Sequence, residues 1–407
     1  MNAAALPGPD SQCILTDDSL SPGDDCPPRA RIYEHADRNL GHRLRGDWEP
    51  PNALLLAYSE QWADSLADLV AIAQDQTRVF LLANPAKNTS LQIQTWILRS
   101  GLGNGKVSLL WIGHDTPWIR DYGPLEIVRR DGDHSWLDAD YSDSRPADDA
   151  IPSVLASRVG VPVEPLPFHL AGGAIISNGL GLCATTIEYC RENNIDFDDP
   201  AIMDPLLETL GCQLLALLPA LKDEKARHID MFAQFLAADV VAVADVRTTD
   251  SHEDAERMDE AARGLKEAAA RLGSDLRVAR VPLPYLGEGK YRTYVNGLRL
   301  RTSFVAPSYR DVPDDIEASA YRALADTLSG IEVVVVPADN VIRLLGSLHC
   351  ISLGLTFPEN RTEPTAEKEQ VTELLLTAAS AEEAVVAIQV DEQAALDCSV
   401  PKDLLHE

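Results

Sequence analysis

"SLQIQTWILRSGLGNGKVSLLWIGHDTPWIRDYGP", residues 90–124, holds three kinds of sequence in succession. Apolar residues at helical spacing run through SLQIQTWILRSGL, the short apolar run KVSLLWIG has strand character, and HDTPWIRDYGP closes the segment as a loop. A plain turn needs Asp, Gly and Pro for its backbone geometry. It has no need of a tryptophan, an arginine and a second carboxylate beside them. The loop therefore reads as chemistry carried on a rigid frame. GLGNGK, residues 101–106, lies between helix and strand, the reverse of a dinucleotide-binding turn, and lacks the spacing of a phosphate loop.

The same order recurs four more times. PSVLASRVG, PAIMDPLLETLG, HEDAERMDEAARGLKEAAARLG and DDIEASAYRALADTLSG have helical spacing. They precede the strand-like runs VPVEPLPFHL, CQLLALLPA, DLRVARVPLP and IEVVVVPAD. The loops that follow are AGGAIISNGLG, KDEKARHIDMF, GEGKYRTYVNG and NVIRLLGSLHC. Helices alternating with strands rich in Val, Leu and Ile specify an α/β protein. Five loops at equivalent strand ends predict one site assembled from all of them. Residue-level similarity between the units is weak, so the repeat is one of element order.

Residues 1–45 are polar and rich in Pro and Asp, and are expected to form a loosely ordered extension. A catalytic domain is expected over 46–360, and a helix and strand over 361–407 packed on it. Lys and Arg number 35 against 64 Asp and Glu, a formal charge of −29. That field disfavours nucleic acid and anionic membranes as partners and gathers cationic ligands. No stretch has the length and hydropathy of a membrane span, and the N-terminus has no basic start or apolar core of a signal peptide. A cytoplasmic location is expected, with export left open. The seven cysteines show no CxxC spacing, so no metal is expected and the thiols are read as reduced. Cys13 and Cys26 are the pair set aside as able to bond if the protein is exported.

Two loops hold candidate catalytic groups. In RHIDMFAQFLAADVVAVAD a β-hairpin is expected, with His228 and Asp230 two residues apart on one face of its first strand. Such a pair suits acid/base work and cation binding. Cys350, after Gly346, Ser347 and His349 in LLGSLHCISLGLTFP, enters an apolar strand. It is a candidate nucleophile if a neighbouring cation or base activates it, and His228 is the candidate base. His114, His169 and His349 are read as structural.

WIRDYGP, GGAIISNGLG, HIDMF, TYVNG and GSLHC, in this order and spacing, resemble the agmatine deiminase and bacterial peptidylarginine deiminase family of guanidine-modifying penteins. The resemblance covers about residues 46–357. It implies a five-bladed α/β propeller with pseudo-fivefold symmetry. It also implies a cofactor-free hydrolase that turns a guanidinium into a ureido group and ammonia. By position, Cys350 is the nucleophile and His228 the acid/base. Asp121 and Asp230 hold the guanidinium, Asn296 stands close to the reacting centre, and Trp118 walls the pocket. Homodimers are common in the family. Two alternatives remain beside this reading: an amidinotransferase of the same fold, and a non-catalytic pentein that binds a cationic ligand.

Several positions depart from the agmatine deiminase pattern. Ala171 replaces the Glu of an EGG turn, and LLGSLHC stands where GGGNIHC is usual. YSDSRPADD, residues 141–149, looks more like the peptidylarginine branch, in which two arginines hold a substrate carboxylate. Only Arg145 is present, with Asp143 where the other would stand.

Overall fold

The computed structural model describes residues 28–37, 39–102, 107–287 and 289–358. Among these, each expected helix–strand pair is present. Ser90–Arg99 leads to Val107–Trp111, Ile151–Val159 to Val163–His169, and Pro200–Leu210 to Leu214–Leu218. His252–Arg271 leads to Arg277–Pro282, and Asp314–Thr327 to Glu332–Pro337.

The helices begin and end where local chemistry directs. Asp199 accepts a hydrogen bond from the Ala201 amide (2.8 Å), Pro200 occupies the first turn, and Gly211 closes Pro200–Leu210 at φ +70°. Ser251 caps His252–Arg271 by accepting from the Asp254 amide at 3.2 Å. The buried stripe of that helix is Ala255, Met258, Ala261, Ala262, Leu265, Ala268 and Ala269, at spacings of three and four. Its small side chains allow close approach: a Cβ on Gly264 would stand 2.5 Å from that of Ala30.

Strands group into five small sheets. Four share one scheme, in which the strand after each loop pairs antiparallel with the next, and that one pairs parallel with the strand reached through a helix. The sets are Leu125–Arg129, His134–Asp140 and Val163–His169, then Ile176–Ser177, Leu182–Thr186 and Leu214–Leu218. Ala233–Ala237, Val240–Asp245 and Arg277–Pro282 form the third, and Leu298–Arg299, Ser303–Ser308 and Glu332–Pro337 the fourth. The fifth sheet joins distant parts of the chain. Ser352–Leu355 pairs antiparallel with Ala53–Ala57, followed in parallel by Arg78–Ala83 and Val107–Trp111. Leu214–Leu218 is buried at every position, as a strand covered on both faces must be.

Three expectations need correction. The extension over 1–45 is not loose throughout. Arg31–Glu34 pairs antiparallel with Leu214–Leu218, and His42–Leu44 with Leu125–Arg129, each satisfying an edge strand. The thiols are not all reduced, because Cys183 and Cys212 form a buried disulfide with Cα atoms 5.8 Å apart. It pins Leu182–Thr186 to the entry of Leu214–Leu218. Cys190 and Cys350 are free and buried, whereas Cys13, Cys26 and the tail over 361–407 lie outside the described residues. Third, the hairpin of Ala233–Ala237 and Val240–Asp245 exists, but His228 and Asp230 precede it. Ile229–Met231 is a single 3₁₀ turn, so strand periodicity does not place those two side chains. Among the described residues, no helix is long and apolar enough to cross a membrane.

Candidate active site

The groups singled out in four separate loops meet in one buried cluster. Asp121 lies in the short helix Ile119–Tyr122, whose Arg120 amide donates to the Cys350 carbonyl at 3.3 Å. His228 Nδ1 stands 3.4 Å from Asp121 Oδ1. Asp230, one 3₁₀ turn further on, accepts on Oδ2 from His349 Nδ1 at 2.8 Å. Asn296 ties three loops together. Its Nδ2 donates to the Asp230 carbonyl (3.1 Å), while its Oδ1 accepts from the His349 amide (3.1 Å) and from Cys350 Sγ (3.5 Å). The two adjacent glycines of AGG lie in a second 3₁₀ turn, Gly172–Ala174, packed against this cluster. A Cβ on Gly173 would lie 2.7 Å from His228 Nδ1, 2.8 Å from Asp121 Oδ1 and 3.2 Å from Asp230 Oδ2. Only glycine leaves these three side chains room to converge.

Trp118 packs against Trp62 at a ring distance of 5.1 Å and fills the space over Gly346, close to Cys350. It is partly buried, which fits a wall of the site. Arg145 stands apart from the cluster. Its Nη1 donates to the Tyr141 hydroxyl at 3.0 Å and the guanidinium lies over that ring, and it bonds to none of the groups named above. Tyr141 connects it electrostatically, since the Asp121 charge is among the causes that raise the Tyr141 pKa, after burial. Asp115 is loop architecture: its Oδ2 accepts from the Ala147 and Asp148 amides at 2.9 and 3.4 Å.

Burial dominates the electrostatics. It pushes the Asp121 carboxyl up to about 6, with Asp230 and Glu224 adding to the rise and His228 and Arg120 opposing it. Burial also holds the Cys350 thiol well above its usual range, and the charges of Asp230 and Asp121 raise it further. For His228, burial works against the charged form, but Asp121, Asp230 and Glu224 outweigh it and its pKa ends above the ordinary value. Both shifts favour the protonated forms of Cys350 and His228. Asp121 Oδ1 and Asp230 Oδ1 are buried with no hydrogen-bond donor among the described residues. Unsatisfied carboxylate oxygens at such depth are costly unless a donor arrives. The arrangement thus suits a planar cation bearing several N–H groups.

The family model for Porphyromonas-type peptidyl-arginine deiminases matches residues 43–355. The chain belongs to that family. It is a hydrolase acting on the C–N bonds of amidines, with guanidine deimination as its chemistry. Agmatine deiminases of Stutzerimonas stutzeri and Pseudomonas aeruginosa are 23% and 25% identical to it, each match covering 77% of this chain and 95% of the relative. The solved agmatine deiminase of C. jejuni superposes with a TM-score of 0.63 at 22% identity, over 79% of this chain and 97% of its own. A substrate-bound form of that enzyme gives 0.64 over the same shares. These structures show the same mixed α/β fold.

Sequence reasoning missed several members of the cluster. His349 is read there as structural, yet it bonds directly to Asp230. Glu224 accepts from the His228 amide at 2.8 Å and from the Ala226 amide at 3.0 Å, so it fixes the backbone that presents His228. In the charged run KDEKAR no local pattern marks it out. Arg120 pairs with Asp47 at 3.0 Å and donates to the Ser352 carbonyl at 3.2 Å. The one usable signal was adjacency, since His349 and Arg120 sit beside Cys350 and Asp121 in the chain.

Proposed function

We propose that the cluster hydrolyses a guanidinium to a ureido group and ammonia through a covalent thiouronium on Cys350. The observation that carries this reading is the pair of buried carboxylate oxygens without donors, on Asp121 and Asp230, beside a thiol and an imidazole. Carboxylates bind a guanidinium through its fixed fork of N–H groups, which sets the plane and leaves the central carbon open to sulfur from one face. The bound cation neutralises the two charges that help to hold the thiol proton, and so favours thiolate where attack occurs.

As sulfur attacks, the Sγ proton is released to solvent, the S–C bond forms and a neutral tetrahedral adduct results. His228 gives its proton to the departing nitrogen, which leaves as ammonia, and the thiouronium remains on sulfur. Neutral His228 then takes a proton from water as its oxygen attacks the same carbon. Collapse breaks the S–C bond, releases the ureido product and returns the thiol. Asn296 holds Sγ and the Asp230 backbone in register through these steps. The five sheets act as blades around this centre, since each of the five strand-end loops carries at least one residue that reaches it.

The substrate is a guanidine-bearing cation, with agmatine and peptidyl-arginine as the two candidates. Similarity to agmatine deiminases supports the first. Arg145, a cation stacked on Tyr141 without a carboxylate partner among the described residues, supports a substrate that brings its own carboxylate. Ammonia release from agmatine, free arginine, an internal-arginine peptide and a C-terminal-arginine peptide tests both points, with Cys350→Ala as blank. Turnover of one class, lost in the blank, is expected. A folded protein silent on all four contradicts the reading.

A further inference from the structure

His349 has no part in the chemistry just described, yet it is 1% exposed and hydrogen-bonds a substrate-binding carboxylate. Its Nδ1 occupies Asp230 Oδ2 at 2.8 Å, while Asp230 Oδ1 has no donor among the described residues. One oxygen is thus spent on the protein and the other left for a ligand. A carboxylate can rotate between two equivalent settings, so a single strong donor on one oxygen is what gives it a fixed aim.

The far side of the ring makes no hydrogen bond among the described residues, but charges stand close to it. His349 Nε2 faces Asp47 Oδ1 at 3.8 Å, and Arg120 Nη1 pairs with the same oxygen at 3.0 Å. Arg120 is the chain neighbour of Asp121. A chain of charges therefore links the two carboxylates that would grip the guanidinium: Asp230, His349, Asp47, Arg120, and through the backbone Asp121. Burial and Arg120 oppose the His349 charge, but the bond to Asp230 and the nearby Asp47 charge raise its pKa above the ordinary value. Buried ion pairs of this kind add little net stability over apolar packing. Their cost makes sense where aim matters.

We propose that His349 is a positioning residue that fixes Asp230 for guanidinium binding, with Asp47 and Arg120 holding His349 in place. This inference rests on the deiminase reading above. The charged and titratable groups that face the Asp230–His349 pair come from every surrounding segment. They are Asp121 and Arg120 from one loop, His228 and Glu224 from a second, Cys350 from a third, Asp47 and Arg45 from the N-terminal segment, and Arg299 from the strand Leu298–Arg299. Of these, only His349 donates to Asp230 through a side-chain nitrogen among the described residues.

The test uses the full chain and whichever guanidine the wild type turns over, with kcat and KM measured against pH and thermal unfolding recorded for each variant. His349→Ala is expected to raise KM by roughly tenfold to a hundredfold, the effect of removing a donor from a buried charged acceptor. The acid limb of its kcat/KM profile should also move to higher pH, because a buried carboxylate without its donor takes up a proton more readily. His349→Asn, whose amide nitrogen stands where Nδ1 was, should restore most of the KM and the limb. If the alanine variant does not fold, His349→Gln takes its place with the same expectation, since its amide reaches the Nε2 position instead. Equal behaviour of the asparagine variant and its comparator, or a fall in kcat alone with KM and pH profile unmoved, overturns the inference and leaves the deiminase reading standing. Failure of the wild type itself to turn over any guanidine overturns that reading instead.

Discussion

Two histidine–aspartate pairs lie side by side in this site and are built differently. His228 and Asp121 approach to 3.4 Å without a well-formed hydrogen bond, and both have shifted pKa values, with Asp121 at about 6. His349 and Asp230 are bonded at 2.8 Å and backed by Asp47 and Arg120. The loose pair, with the Asp121 carboxyl at about 6 and His228 raised, suits the acid/base role proposed for His228. The tight pair has its proton committed, as a fixed binding surface demands. Similar residues are thus assigned to chemistry or to aim by the groups packed behind them.

The largest expected break in this contrast is on the loose side. His228→Gln should lower kcat by roughly a hundredfold to ten-thousandfold, the usual worth of a positioned acid/base group, with unfolding temperature little changed. Steady-state assays at saturating substrate check it. Next come the carboxylates. Asp230→Asn should cost about 2–5 kcal/mol in binding, read as a raised KM, because it also removes the carboxylate that His349 bonds. Asp121→Asn should cost less, since burial already favours the neutral form of that carboxyl. Equal losses in the two variants would dissolve the distinction between the pairs.

Gly173→Ala sharpens the same point from beneath. The added methyl falls within 3.2 Å of His228, Asp121 and Asp230 at once. It should reduce kcat/KM while circular dichroism stays native. A smaller and more specific effect is in the pH profile. Asp121 is protonated below about pH 6 in the free enzyme, so kcat/KM should fall on that side. The limb should recede in kcat, because a bound guanidinium stabilises the carboxylate. At the other end, activity should decline as pH rises through the elevated His228 value. The smallest effect is expected at Asp115→Ala, where loss of the cap on Ala147 and Asp148 costs about 1 kcal/mol of stability and leaves kcat and KM unchanged.

The frame of the molecule was legible in the sequence because its signals are local. Helical and strand periodicities each lie within one element and need no knowledge of the rest. The site was legible where its residues are chemically unusual for their context, as with Asp121 in WIRD and Cys350 in SLHC. It was not legible where function depends on contacts between loops far apart in the chain. His349 touches Asp230 across 119 positions, and nothing in LHC distinguishes a buried strand-entry histidine from one holding a carboxylate. Arg31–Glu34 and His42–Leu44 escaped for a similar reason. They are short and polar, and their order comes from edge strands supplied much later in the sequence.

The central claim is that Cys350 carries a covalent intermediate, and mass spectrometry of protein acid-quenched during turnover tests it most directly. The account predicts a guanidine-derived adduct on the peptide containing Cys350, absent when Cys350 is alanine. Full turnover with Cys350 unmodified, or retained by Cys350→Ala, would contradict it.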